Sequence, residues 1–461
     1  MNVFKKGISL VVALALALTM LVVPSFATAS EVVSDVEATL RMIGPGQFSY
    51  VGEKGNLDLV TGIKSPGYNV VVERWNELYP NVKLEIEAVP WDNWKAVLQT
   101  AALEGRVDVL LHGASITAIA EPVQAYIDED PEFAEVAAMM PMRKNDKVAP
   151  FSQYVPYGGT VIANPVLIVL DKEILANYGV EIPNGETWTL EDIHDIAKAT
   201  TGIDPVTGKQ TYGISLLSAG ASNKNYIWAS RAMDAKVFET GALLKDTKAD
   251  FTSEKTKEVL TYIAELEKYC SPDYIEKLDL VNTYTEDNNI AMVIMESASS
   301  VFNTIKNNDL LDKFMFIQLP AIKGGEFDGI TSSHMGDWNM AICNTSEQKD
   351  LAMEFIKFMI TDPVVQQWII DVNAIPNNRV YIDLLADVMP ADYFNAVAAI
   401  VKTCPTQFSA SANLCYDSGN FGTFANDITS VLNEMFTESM TVDEAIAFVQ
   451  TNLDNYMNTL Q

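Results

Sequence analysis

The chain has 461 residues, with 31 Lys plus Arg against 61 Asp plus Glu, for a formal net charge of −30. That balance excludes nucleic acid and any other partner held by phosphate neutralisation. A composition 48% hydrophobic and 20% charged supports a folded protein, the length exceeds one core, and 24 Gly and 19 Pro without a repeat exclude collagen-like and low-complexity classes.

In chain order, the first element is a leader. Lys5 and Lys6 precede an apolar stretch from Ile8 to Val23 and the small-residue run Ala27-Thr28-Ala29, the plan of a secretory signal peptide cleaved after Ala29. The alternative is an uncleaved anchor helix, for which the apolar run is short against roughly 30 Å of hydrocarbon. Residues 1–29 are assigned to the signal, and the mature chain, more acidic for the loss of two lysines, to the periplasmic or extracellular space. The first cysteine is Cys270, so no lipobox cysteine follows the leader and no lipid anchor is expected. Cys270, Cys343, Cys404 and Cys415 lack the C-x-x-C pairing of zinc sites. A Cys404–Cys415 bridge would close a short loop worth about 3 kcal/mol; the alternative is four buried or free thiols.

Ala38 to Ile43 reads as a strand that Gly44-Pro45-Gly46 turns into a loop. Val71, Val72, Trp75 and Leu78 recur at helical spacing in a helix from Tyr68 to Tyr79, stopped by Pro80. Val82 to Val89 alternates as a half-buried strand, a helix follows from Asp92 to Glu104, and Val107 to Leu111 is a short buried strand ending at His112-Gly113-Ala114-Ser115. Strand and helix in alternation predict a parallel sheet covered by helices. A second block begins near Tyr157-Gly158-Gly159, with a strand over Val161 to Leu170 interrupted by Asn164-Pro165, read as an edge or a bulge. Helices are predicted over 171–178, 189–200 with Thr189 as N-cap, and 253–269; strands over 212–217, 290–295, 314–319 and 338–343. The remainder is mainly helical: 346–360, 363–372, 421–437 and 441–459.

Several local phrases in this order resemble the extracytoplasmic solute-binding proteins of ABC importers, family 1, the oligosaccharide-type group that includes maltose-binding protein. They are Asn177-Tyr178-Gly179-Val180 with Trp188-Thr189-Leu190-Glu191-Asp192, Asn289 to Met295, Phe316-Ile317-Gln318-Leu319-Pro320, Gly336 to Ile342, Leu351 to Phe358 with Asp362-Pro363, Ala374-Ile375-Pro376, and Met440 to Ala445. The chain departs from the pattern in lacking the lipid-anchor cysteine, in carrying Glu296-Ser297-Ala298-Ser299-Ser300 where many members place a Trp, and in a longer, Gly-richer loop from Gly44 to Gly67. The resemblance implies an α/β, two-lobed periplasmic-binding-protein fold of type II, each lobe a mainly parallel sheet flanked by helices, with several hinge crossings. Lobe 1 is expected to take 36–158 with 329–380 and lobe 2 to take 159–328 with 381–461. It implies a monomeric receptor without cofactor that captures a carbohydrate, an oligosaccharide by preference, and delivers it to an ABC permease. The alternatives are a receptor for another solute, such as a peptide or polyamine, and a secreted glycoside hydrolase.

A sugar receptor needs aromatic faces for the apolar side of the pyranose ring and polar groups for its hydroxyls, on loops at strand ends. Candidates are Gln47, Trp91, Asn93 and Ser115 after the first three strands, Tyr157 near a hinge, Trp228, Glu296, Asp337, Trp338 and Arg379. Each has a structural alternative: Trp91 a staple to the next helix, Trp228 a core position, Glu296 a cap or ion pair, Arg379 a surface charge. His112, His194 and His334 show no H-E-x-x-H or H-x-H spacing, so no metal site is expected; His112 reads as a loop donor. No nucleophile elbow or phosphate loop precedes a helix, and Asp204-Pro205-Val206-Thr207-Gly208 reads as a plain turn, so no enzyme is expected.

Overall fold

The computed structural model describes residues 37–45, 56–57, 64–65, 67–90, 93–113, 116, 118–138, 159–217, 222–239, 248–272, 283–295, 298–325, 327–333, 335–403 and 422–458. The expected leader with its cleavage site, Gln47, Trp91, Ser115, Tyr157, Glu296, Cys404 and Cys415 lie outside them. The strands of the two main sheets are β1 (Ala38–Pro45), β2 (Val82–Val89), β3 (Val109–Leu111), β4 (Gly159–Pro165), β5 (Leu167–Asp171), β6 (Gly202–Ile203), β7 (Gln210–Ser215), β8 (Ile290–Met295), β9 (Phe314–Ile317), β10 (Met335–Ile342) and β11 (Ile375–Pro376). They form a six-stranded sheet in the order β11-β4-β10-β3-β1-β2 and a five-stranded sheet in the order β9-β5-β8-β7-β6.

The helices pack on both faces of each sheet. They include α1 (Asn69–Leu78), α2 (Trp94–Leu103), α3 (Leu190–Ala199), α4 (Asn223–Ala232), α5 (Glu254–Glu267), α6 (Ala298–Asn307), α7 (Lys349–Thr361), α8 (Pro363–Asp371), α9 (Ala391–Thr403), α10 (Gly422–Phe436) and α11 (Val442–Asn458). Strand alternation sorts the side chains. In β1, Leu40 and Met42 meet Trp75 of α1, Phe355 of α7 and Ile369 of α8, while Ile43 points to the other face with Leu98 of α2. In β5, Ile168 and Leu170 join α3, α4, α5, α10 and α11, while Leu167 and Val169 meet Phe302 of α6 and Tyr393 of α9. Double coverage explains why β8 is buried at every position, whereas β2, an edge strand, exposes Lys83, Glu85 and Glu87.

Local chemistry sets the helix ends. Thr189 and Asp192 form the expected capping box on α3, Asp192 N donating to Thr189 Oγ1 at 3.2 Å and Thr189 N to Asp192 Oδ2 at 2.7 Å. Ser253 caps α5 and Asp362 caps α8, which has its proline in the first turn.

Two expectations are corrected. The apolar run Val161 to Leu170 is two strands in different sheets, with Val166 between them. Pro165 ends β4 beyond the last β11 pairing, so its missing N–H breaks no bond on that side. The segment from Gly159 to Pro165 therefore belongs to the first sheet, although the sequence placed it in the second lobe. The sheets are also mixed rather than mainly parallel. β1 pairs parallel with β2 and β3, and β7 with β8, but β10, β4, β5, β9 and β11 run antiparallel to their neighbours. Of these, β4 leads out of the first sheet into β5 of the second, and β9 leads back to β10 of the first.

Candidate functional site

The strand directions bring the two sheets edge to edge. β1, β2 and β3 end at Pro45, Val89 and Leu111; β10 begins beside them, with Met335 opposite Pro165 at the end of β4. From Pro165 the chain passes through buried Val166 into Leu167, which stands opposite Met295, the last residue of β8. The carboxyl ends of the parallel strands in both sheets therefore lie at the edges that the crossing joins, the position where open α/β sheets bind ligands. A second connection, from β9 to β10, crosses there, whereas β11 runs away from it into Asn377, Asn378 and the 3-10 helix Arg379–Asp387. Ser332, Ser333, Asn377 and Asn378 are all buried, and Arg231 Nη1 of α4 donates to Ser333 O at 3.3 Å.

At this edge of the first sheet three aromatic rings meet. His112 follows β3 with φ 63, and its N–H donates to Asn339 O at 2.6 Å. Its imidazole lies 4.9 Å from the Trp338 ring at 57° and 5.8 Å from the Trp94 ring at 60°. Trp94 packs against the cluster that holds Ile43, Leu98 and Leu110 on one face of the sheet, and half-buried Trp338 against the cluster that holds Leu40 and Met340 on the other. The imidazole thus joins two indoles that belong to opposite faces. Lys95 Nζ stands 5.7 Å from the Trp94 ring, a cation over an aromatic face.

Glycines let the strand ends approach. A Cβ on Gly113 would lie 2.3 Å from Leu110 Cβ, and one on Gly44 would lie 2.2 Å from Leu111 Cβ. In the second sheet Asn225 holds the exit from β7, with Leu217 N donating to Oδ1 at 3.1 Å and Nδ2 donating to Leu217 O at 2.9 Å. The aromatic rings of the first sheet and the Asn225 clamp of the second thus both lie at carboxyl strand ends, where α/β proteins place ligand sites.

Residues 62–366 match the bacterial extracellular solute-binding proteins. The chain belongs to that family. Solved structures share the fold: an ABC substrate-binding protein from Listeria monocytogenes in complex with cycloalternan is 17% identical, with 92% of this chain and 100% of that one covered at a TM-score of 0.64. The sugar-binding protein MalE from Xanthomonas citri is 13% identical, covering 91% of this chain and 98% of its own, at a TM-score of 0.67. Maltose-bound MalE3 of T. maritima is 16% identical, covering 90% and 99%, at a TM-score of 0.60. No curated protein matches the sequence. Membership makes this an exported binding protein, and no described helix is long and apolar enough to cross a membrane.

Within this solute-binding protein the sequence candidates separate. Trp338 stands in the aromatic cluster and exposed Asn93 directly before it, at φ 58. The backbone of Asp337 pairs with Ala163 in β10, next to Trp338; its side chain lies outside the described ones. Trp228 is 0% exposed in the middle of α4, edge-on to Tyr262 at 6.2 Å, because every residue from Asn225 to Ala232 is buried. It is core. Arg379 opens the 3-10 helix, and its Nε donates to Val401 O at 2.9 Å, so it ties that helix to α9. Cys270 and Cys343 are free and buried, and burial pushes the Cys270 thiol well up. Trp94 was not among the candidates, and the ring contacts of His112 went unread. Both directly follow a strand end or its turn, the one signal that marks them.

Proposed function

We propose that this solute-binding protein is the sugar receptor of an ABC importer. It captures a carbohydrate, an oligosaccharide by preference, between its lobes and delivers it to the membrane permease. The observation that carries this reading is the cluster of Trp94, His112 and Trp338 at the carboxyl ends of the first sheet's parallel strands, where the chain crosses to the second sheet. Indole faces cover the apolar C–H side of a pyranose, and such contacts need no charge on the ligand, in keeping with the chain's acidity. Solved relatives of the same fold hold cycloalternan, maltose and acarbose. Family membership supports export, and the basic and apolar leader ending in Ala27-Thr28-Ala29 supports cleavage after Ala29, to a mature chain that works as a monomer. No covalent chemistry is required: the lobes close over the ligand about the buried crossings and present a changed surface to the permease.

A thermal-shift panel of maltose, maltotriose, cycloalternan, peptides and polyamines tests this. A ligand at a hundredfold its Kd adds about 2.7 kcal/mol to stability. One or a few oligosaccharides are expected to raise Tm, and Trp338→Ala to remove the shift. A shift with peptides or polyamines alone would overturn the sugar reading, and release of product from a chromogenic glycoside would make the protein a hydrolase.

A further inference from the structure

We propose that His112 is a positioning residue, whose imidazole holds the indoles of Trp94 and Trp338 in one preset wall before the ligand arrives. The proposal rests on the sugar-receptor reading for what the wall receives, but its geometric content stands apart from it.

The backbone is the first ground. His112 has φ 63, in the left-handed region that favours glycine, although a glycine follows it directly in the chain. A side chain kept in a strained conformation at a site edge is there for what it contacts. Strand alternation is the second. Leu110 faces the core that carries Trp94, and Leu111 the core that carries Trp338. An extended His112 would follow Leu110 to one face only. The left-handed turn ends the alternation, and the ring reaches both indoles, at 5.8 and 4.9 Å.

The third ground is rigidity. Asn339, adjacent to Trp338, accepts the His112 N–H at 2.6 Å, and Gly113 admits no Cβ against Leu110. The His112 backbone is therefore locked to the strand that carries one indole, while the other, Trp94, is the first residue of α2. Tilted rings at these separations attract through edge-to-face contacts, so removing the central one frees both outer ones. A preset wall binds more tightly because ordering is not required at the moment of binding.

The test compares wild type with His112→Gly, His112→Asn and His112→Phe by thermal midpoint, near-ultraviolet circular dichroism and the Kd of whichever panel oligosaccharide binds wild type. Trp338→Phe and Trp94→Phe assign the indole bands. Glycine and asparagine tolerate the left-handed backbone, so Tm is expected to hold while the assigned bands weaken and Kd rises about three- to tenfold, the worth of one aromatic pair. Phenylalanine is expected to restore bands and affinity at some loss of Tm. Unchanged bands and Kd in His112→Gly and His112→Asn would overturn the proposal, as would a folded His112→Phe that behaves like them. If no sugar binds wild type, the receptor reading falls and the bands alone decide the role of His112.

Discussion

Trp338 was legible because the phrase Gly336 to Ile342 carries it, and the structure stands it at a strand edge beside His112. Trp94 was not, since Trp91 stands nearer the strand end in the sequence and a tryptophan opening an amphipathic helix reads as packing. The sign of φ at His112 cannot be read from residue identity at all. Close packing at the same corner gives a direct expectation. Gly113→Ala forces a Cβ to 2.3 Å from Leu110 Cβ, so it should cost about 1–3 kcal/mol, seen as a lower urea midpoint at unchanged slope. An unchanged midpoint would mean that the strand end has room to give. Trp228→Phe, in the core and away from the cluster, is expected to lower Tm and leave sugar affinity intact, while Trp94→Ala is expected to weaken sugar affinity as well as lower Tm.

Helices were the most legible elements, because their caps are short-range chemistry. α3 begins at the Thr189 and Asp192 pair as read, and α11 carries a second pair: Thr441 N and Oγ1 donate to Glu444 Oε2 at 2.9 and 2.7 Å. The bond from the Thr441 N–H, then that from its hydroxyl, holds the Glu444 carboxyl below its ordinary range. A depressed carboxylate stabilises fully above its unfolded value and stops doing so as pH falls through its folded one. Glu444→Gln should therefore lower Tm at neutral pH, and the gap to wild type should close below about pH 4. A gap that persists undiminished into acid would assign the effect to packing. The run Val161 to Leu170 shows what elements conceal. Only Asn164-Pro165 marks the crossing, and because Val166 is as buried as the strands it joins the run resumes at once, so the interruption reads as a bulge in one strand rather than as the boundary between two sheets. The antiparallel re-entry of β10 was hidden for a related reason: direction is set by which lobe the chain arrives from.

Across the whole molecule, length and composition announced more than one core, and the structure resolves that into helices on both faces of two mixed sheets joined at one shared edge. The connections between the sheets are buried where they meet the strands, at Val166 between β4 and β5 and at Ser332 and Ser333 before β10. Such crossings let the lobes rotate as bodies while keeping their cores intact. A bound oligosaccharide is expected to reduce the radius of gyration in small-angle scattering, with no change in far-ultraviolet circular dichroism. Loosening one crossing with Val166→Gly should weaken binding through the open state rather than through any ligand contact.

Isothermal titration calorimetry of the mature protein with the oligosaccharide panel, repeated for Trp338→Ala, tests the central claim most directly. The account expects one site per chain, a negative heat-capacity change from burial of aromatic faces, and a Kd at least about tenfold weaker in the variant. Saturable binding that Trp338→Ala leaves untouched, or heat from peptides and polyamines but from no sugar, would contradict it.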